Sequence, residues 1–205
     1  MLYPHAMTRM TRAESQARTR EALVQTATRA FLRDGYRATS LEKVADEAGY
    51  SKGAVYSNFR NKNELCLAVL DSIHAEQTQQ IVKAMVGSTT LERRLAAFHS
   101  WADEMIGDPA WTGLEFEFAT HVRRDPALRA ELSKREETMR ALIAAVVTRN
   151  AEELDLELPM PADEAAAALL SLGIGLGVRR MVEPSTPVQV LTDMVRLLLT
   201  GGATA

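Results

Sequence analysis

The sequence predicts an all-α protein of about nine helices, and three observations carry that prediction. Aromatic residues are only 5% of the 205, and no run alternates apolar and polar residues between turn dipeptides, so strands have no signal. Apolar residues instead recur at spacings of three and four, which is the repeat of one helical face. Residues that cap, start or break helices stand where those runs begin and stop.

The elements follow in order. Leu23, Ala27, Ala30 and Phe31 mark the apolar face of a helix over residues 12–34, closed at Asp34-Gly35 because glycine takes the left-handed cap conformation. Thr39-Ser40-Leu41-Glu42 has the form of a capping box, a hydroxyl with a glutamate three residues on, and opens a short helix to about residue 48. Gly49 breaks it. Ser51 caps another short helix to about residue 58, and Asn61 with Glu64 offers a capping pair for a long helix over 62–85. The pattern resumes at Thr89, with Glu92 three residues on and Leu91, Leu95, Phe98 and Met105 as its apolar face, and stops at Gly107-Asp108-Pro109. A shorter helix covers 111–122, and Asp125-Pro126 starts a long one ending near 154. Beyond the Leu158-Pro159-Met160-Pro161 linker, two last helices cover 163–182 and 187–199.

Composition, at 46% hydrophobic and 25% charged, is that of a globular protein. The single cysteine, Cys66, excludes an intrachain disulfide, and the first twelve residues lack the apolar run of a secretory signal, so a reducing cytoplasm is the expected setting. The longest uncharged stretch, 165–178, has 14 residues against the roughly 20 needed to cross a bilayer, so no membrane span is expected. The net charge of −3 conceals a division at Lys62. Up to that residue eleven basic side chains face six acidic ones, a balance of +5; the remainder carries thirteen basic and 21 acidic, a balance of −8. A solvated face would give such a split too, but a basic head on an acidic body suggests a polyanion partner for the head alone.

Two short helices joined by a glycine turn inside the basic part fit the DNA-binding helix-turn-helix. With Leu41 as first position, the fifth, which must be small where the helices approach closest, is Ala45, and the ninth, in the turn, is Gly49. Val55 is the inward position of the second helix, while Val44 and Ala48 supply the apolar face of the first. The segment TSLEKVADEAGYSKGAVYSNFRNKNEL also resembles the DNA-binding domain of the tetracycline-repressor (TetR) family, over residues 23 to about 70. Past Asp71 the resemblance is one of layout. It implies an all-helical homodimer whose larger C-terminal domain varies in sequence and binds an effector. The expected division is a DNA-binding domain over 1–62, with an arm at about 1–11, and an effector-binding and dimerisation domain over 63–205.

Thr39, Ser40 and Ser51 cap helices or hold DNA phosphates, with equal claim to either. Lys52, on an exposed first turn, reaches a phosphate or a guanine edge, or is simply solvated. Gly53 and Ala54 let the helix approach the groove floor. Tyr56 offers its hydroxyl to a phosphate while its ring packs inward, Ser57 lies on the same segment, and Phe59 belongs to the core. Lys62 resembles the family's backbone-contacting lysine. Arg9, Arg12 and Arg18 supply either an arm beside the groove or a solubilising tail.

In the body, Trp101, Met105, Trp111, Phe116, Phe118, His121, Met139 and Ile143 are ordinary core or the lining of an effector cavity; the four aromatics fall within eighteen positions. His99 and Asp103 share a helical face, yet no further cluster has metal-ligand spacing, so no metal and no cofactor are expected. Ser100 beside His99 is only a sequence neighbour, and no catalytic constellation is found. Gly173, Gly175 and Gly177 lack phosphate-loop spacing and suit close helix packing. The helix over 163–182 is apolar almost all round and must be covered on every side. Leu169, Leu172 and Leu176 with Leu191, Met194, Val195 and Leu198 are therefore expected in a four-helix interface between two copies.

The expected function is a one-component transcriptional regulator. It would be a repressor that binds a palindromic double-stranded operator as a homodimer and is released by a small apolar or aromatic effector. An activator or a ligand-independent regulator of the same family is the nearer alternative; a helical enzyme or adaptor with no DNA role is the more distant one.

Overall fold

The computed structural model describes residues 11–201, and they form nine helices with no strand among them. These are α1 (Arg12–Ala38), α2 (Leu41–Ala48), α3 (Lys52–Asn58), α4 (Lys62–Val86), α5 (Leu91–Met105), α6 (Pro109–Val122), α7 (Pro126–Glu153), α8 (Ala162–Val182) and α9 (Gln189–Thr200). Arg9 and the rest of the expected arm up to residue 10 lie outside the described residues. Two compact units divide between Val69 and Leu70, within α4.

In the first unit α1, α2 and α3 pack mutually around Leu23, Phe31, Val44, Ala45, Val55 and Phe59, all fully buried or nearly so. Thr11 caps α1, its hydroxyl accepting from the Glu14 amide at 3.2 Å. Gly35 interrupts the helix at φ 79°, where a side chain would be strained, and the chain then turns once more to bury Tyr36. The capping box expected at Thr39 does not form, and the cap falls one residue later. Ser40 caps α2 by accepting from the Lys43 amide at 3.1 Å, while the Thr39 hydroxyl donates to the Gly35 carbonyl at 2.9 Å. Gly49, at φ 71°, closes α2 with its N–H on the Asp46 carbonyl. Asn61 caps α4 as its spacing with Glu64 indicated, accepting from the Glu64 amide at 2.9 Å.

In the second unit α8 packs on α6, α7 and α9, and α5 on α9. Gly107-Asp108-Pro109 proves to be a start as well as a stop: the Asp108 carboxylate accepts from the Ala110 and Trp111 amides at 3.0 Å, so α6 begins two residues earlier than expected. The helix expected from Thr89 begins instead after Thr90, which makes no side-chain cap. Arg94 ties α5 to α7. It is 3% exposed and donates to the Ser88 carbonyl at 2.7 Å and to Asn150 Oδ1 and Glu153 Oε2 at 2.8 Å each.

The expected interface residues turn inward. Leu176, Leu191, Val195 and Leu198 are buried within one chain, and Leu169, Leu172 and Met194 are partly buried against its cores. Because α8 is apolar all round, its sequence does not distinguish the face taken by α6, α7 and α9 from the face left outside. That outer face carries Val178, Met181 and Val182; Val190 and Leu197 of α9 are exposed too, while the exposed Ile174 lines the cavity described below. At 21 residues α8 is long and apolar enough, by length and composition, to cross a membrane, as the core helix of a globular unit also is, and here it packs on α6, α7 and α9. It exceeds the uncharged run because the helix continues through Asp163 and Glu164 at one end and Arg179 and Arg180 at the other. Gly177 does serve close packing, since a Cβ there would lie 3.6 Å from Thr112 Cγ2, whereas Gly175 faces open space.

Candidate DNA-reading surface and effector cavity

The helix-turn-helix register read from the sequence is realised: Ala45 and Val55 are fully buried where α2 meets α3. This fixes which side of α3 faces out. Ser51, Lys52, Gly53, Tyr56 and Ser57 are exposed and Ala54 partly so. The Ser51 hydroxyl accepts from the Ala54 amide at 3.2 Å, and the Ser57 hydroxyl donates to the Ala54 carbonyl at 2.9 Å. A Cβ on Gly53 would meet only Ser51 Oγ, at 3.8 Å, so nothing inside the chain requires glycine there.

Three expectations change. Thr39 is 1% exposed and committed to α1 carbonyls, which leaves it no phosphate to hold. The Tyr56 ring lies outside rather than packing inward, at 51% exposed, and its hydroxyl donates to Glu42 Oε1 at 2.8 Å. That bond raises the Tyr56 hydroxyl above its usual range; the Glu42 carboxylate is lowered by its own backbone N–H and then by the Tyr56 and Ser40 hydroxyls. Lys62 Nζ donates to the Tyr36 and Arg37 carbonyls at 3.0 and 3.4 Å and sits 4.2 Å from the centre of the Tyr36 ring, so it locks α4 to the end of α1. Burial pushes the Tyr36 hydroxyl up to about 12, and it donates to Asn63. Sequence reading missed Arg20, which stacks 4.2 Å from the Phe59 ring centre and donates to the Asn58 carbonyl at 2.6 Å, supporting α3 from behind.

The second unit holds a partly open cavity of about 750 Å³, in the upper part of the range for small-molecule sites. Trp101, Trp111, Phe116, Phe118, Met139 and Ile143 line it. Met105 and His121 do not: α5 ends at Met105, Ile106 takes the wall position, and His121 is exposed beyond Phe118 on α6. The polar side chains in the wall went unread in the sequence, because on a long helix such as α4 they resemble a solvated face. His74 is hydrogen-bonded to Glu115, and Gln77, Thr78 and Thr112 lie nearby in the same wall. Trp111 Nε1 donates to the Met105 carbonyl at 2.9 Å. His99 shares a hydrogen bond with the Thr192 hydroxyl at 3.1 Å, and no three metal-ligating side chains gather among the described residues.

A helix-turn-helix with an exposed second helix, in one chain with a largely apolar cavity, defines a ligand-responsive transcriptional regulator. Residues 23–69 match the family model described as bacterial regulatory proteins, tetR family, and residues 90–200, more than half the chain, match the C-terminal model of BetI-type transcriptional repressors. The chain belongs to the tetR family of bacterial transcriptional regulators. It is 44% identical over 68 residues to the regulator TtgR of Pseudomonas putida, a match covering 33% of this chain and about a third, 32%, of that relative's length. The crystal structure of reduced E. coli NemR superposes with a TM-score of 0.71 at 20% identity, covering 91% of this chain and 100% of that one. The SmeT–triclosan complex gives 0.65 at 22% identity, covering 92% and 95%. Identities this low speak for the fold alone.

Proposed function

We propose that the protein is a cytoplasmic repressor that binds a palindromic operator as a homodimer and lets go when a small apolar molecule occupies the cavity. Residues 1–62 form the DNA-binding head of this reading and 63–205 the effector and dimerisation body. The observation that carries it is the outer face of α3. Only Lys52, Tyr56 and small side chains stand on it, so nothing bulky keeps the helix from the floor of a major groove. Ser40, Ser51 and Ser57 hydroxyls lie at its margins, and Lys52 supplies the charge for a phosphate. On α8 and α9 the exposed Val178, Val182, Val190 and Leu197 are apolar side chains that a second copy would cover, and open Gly175 lets its backbone come near. That one fold neighbour, SmeT, was crystallised with triclosan supports an apolar aromatic ligand for this cavity. Because α4 both joins the helix-turn-helix and lines the cavity, it is the element through which occupancy would reach the DNA.

Gel retardation with the DNA upstream of the protein's own gene tests the reading. Specific, two-fold symmetric protection is expected, with affinity falling as salt rises; Lys52→Ala should lower the slope of log affinity against log salt by about 0.9 per contact. Turnover of ester substrates without specific DNA binding would overturn it.

A further inference from the structure

The cavity has a long axis with a charged end and an apolar end, and that form specifies the kind of molecule it takes, an inference that rests on the effector reading above. Its lining runs from Leu70 to Met85 on α4 and from Leu132 to Asn150 on α7. At roughly 1.5 Å per residue those stretches are about 22 and 27 Å long, whereas a sphere holding about 750 Å³ would be about 11 Å across. The two helices run in the same direction: Arg135 donates to Asp71 at 2.7 Å near the start of both stretches, and further along the Thr78 hydroxyl donates to Met139 Sδ at 3.5 Å. The space is therefore drawn out along α4 and α7, and an extended molecule fills it better than a compact one.

Polarity divides along that axis. At the starting end His74 of α4 is hydrogen-bonded to Glu115 of α6, and both side chains stay partly exposed. Each stands on the cavity face of its helix, His74 in line with Leu70 and Thr78, and Glu115 with Thr112 and Ala119. Glu136 and Glu137 of α7 line the cavity and are exposed, as is Phe116 beside Glu115, so this end meets solvent. The arginines of the lining are already engaged, Arg135 with Asp71 and Glu131 and Arg140 with Asp163. A head group arriving here meets carboxylates and no uncommitted arginine. At the far end Met85, Val147, Leu191, Val195 and Leu199 are buried, and the polar Asn150 is already paired with Arg94.

We infer that the effector is an extended single-chain amphiphile, its alkyl chain lying along α4 and α7 toward Val195 and Leu199 and its one cationic amino head at the charged end against Glu115. The probes are octylamine, dodecylamine, dodecanol, dodecanoate and tributylamine, the last being a branched isomer of dodecylamine with the same carbon count. Equilibrium dialysis against the full-length protein at pH 7, below the micelle concentrations, compares chain length, shape and head charge. Affinity should rise about fourfold for each methylene added between octylamine and dodecylamine, because each added group leaves water for the apolar end. Dodecylamine should bind about tenfold or more tighter than tributylamine, and dodecanoate should bind weaker than dodecanol. Glu115→Gln should cut the lead of dodecylamine over dodecanol about tenfold. A merely structural role for Glu115 would weaken both together and preserve their ratio. Equal binding of dodecylamine and tributylamine, or preference for dodecanoate, overturns this inference and leaves the effector reading standing. Binding of none of the probes overturns both.

Discussion

Replacing Gly53 with alanine separates the needs of the fold from those of DNA. In α3 the residue is helical, and an added methyl would lie 3.8 Å from Ser51 Oγ, an ordinary contact, with no other atom within 4 Å. Alanine at a compatible glycine position stabilises by about 0.4–1 kcal/mol, mainly by restricting the unfolded chain. For a chain of this size that raises the melting temperature by about 1–4 °C. On the outside, the same methyl would stand between α3 and the groove. Forcing a methyl into a closely packed contact costs about 1–3 kcal/mol, or roughly 5- to 150-fold in affinity for each half-site. Differential scanning calorimetry and fluorescence anisotropy on labelled operator, at one fixed salt concentration, read the two effects. Gly53→Ala should therefore be more stable and bind DNA more weakly. Unchanged DNA affinity would show that α3 does not approach the groove at this residue, and a lower melting temperature would show that the glycine serves the fold.

Arg94→Ala should cost about 2–4 kcal/mol in urea unfolding, because it leaves the Asn150 carbonyl buried without its donor and Glu153 without one of its two arginines. Val182→Asp should convert dimers to monomers in sedimentation and abolish operator binding while the helices persist by circular dichroism. Leu191→Asp, by contrast, buries a charge inside one chain and should unfold the body; equal behaviour of the two variants would refute the assignment of inner and outer faces. In acid the head should weaken before any neutral-pH change is seen. Asp34 is lowered from its ordinary 3.8 by Arg33 and Lys43, Glu42 from 4.5 by its own backbone N–H with the Tyr56 hydroxyl, and Glu64 from 4.5 by the Arg60 backbone N–H. Carboxylates lowered on folding contribute stability that is present above their unfolded values and lost as pH falls through their folded ones, so melting temperature should hold to about pH 5 and decline below about pH 4. Glu42→Gln should make that decline shallower.

The sequence alone determined the elements governed by local physics. Gly35 interrupts a helix and Gly49 ends one because the chain there needs a positive φ, and Ser51, Asn61, Asp108 and Asp125 start them because a side chain two or three residues away can hold a free amide. The helix-turn-helix was legible for the same reason: Ala45, Gly49 and Val55 meet conditions set within fifteen residues. What only tertiary structure decided is which partner a side chain finds when several are chemically equal. Thr39 and Ser40 are both capable caps, and the carbonyls left exposed at the Gly35 break claim one of them. Lys62 carries a charge suited to phosphate, yet the end of α1 takes its ammonium. In α8 leucines surround the whole helix, so its sequence holds no period that could tell inside from outside; the positions of α6, α7 and α9 make that choice. Gln77 looks like part of a solvated face until the fold buries it, because burial depends on residues far away in the chain and leaves no trace in the local pattern.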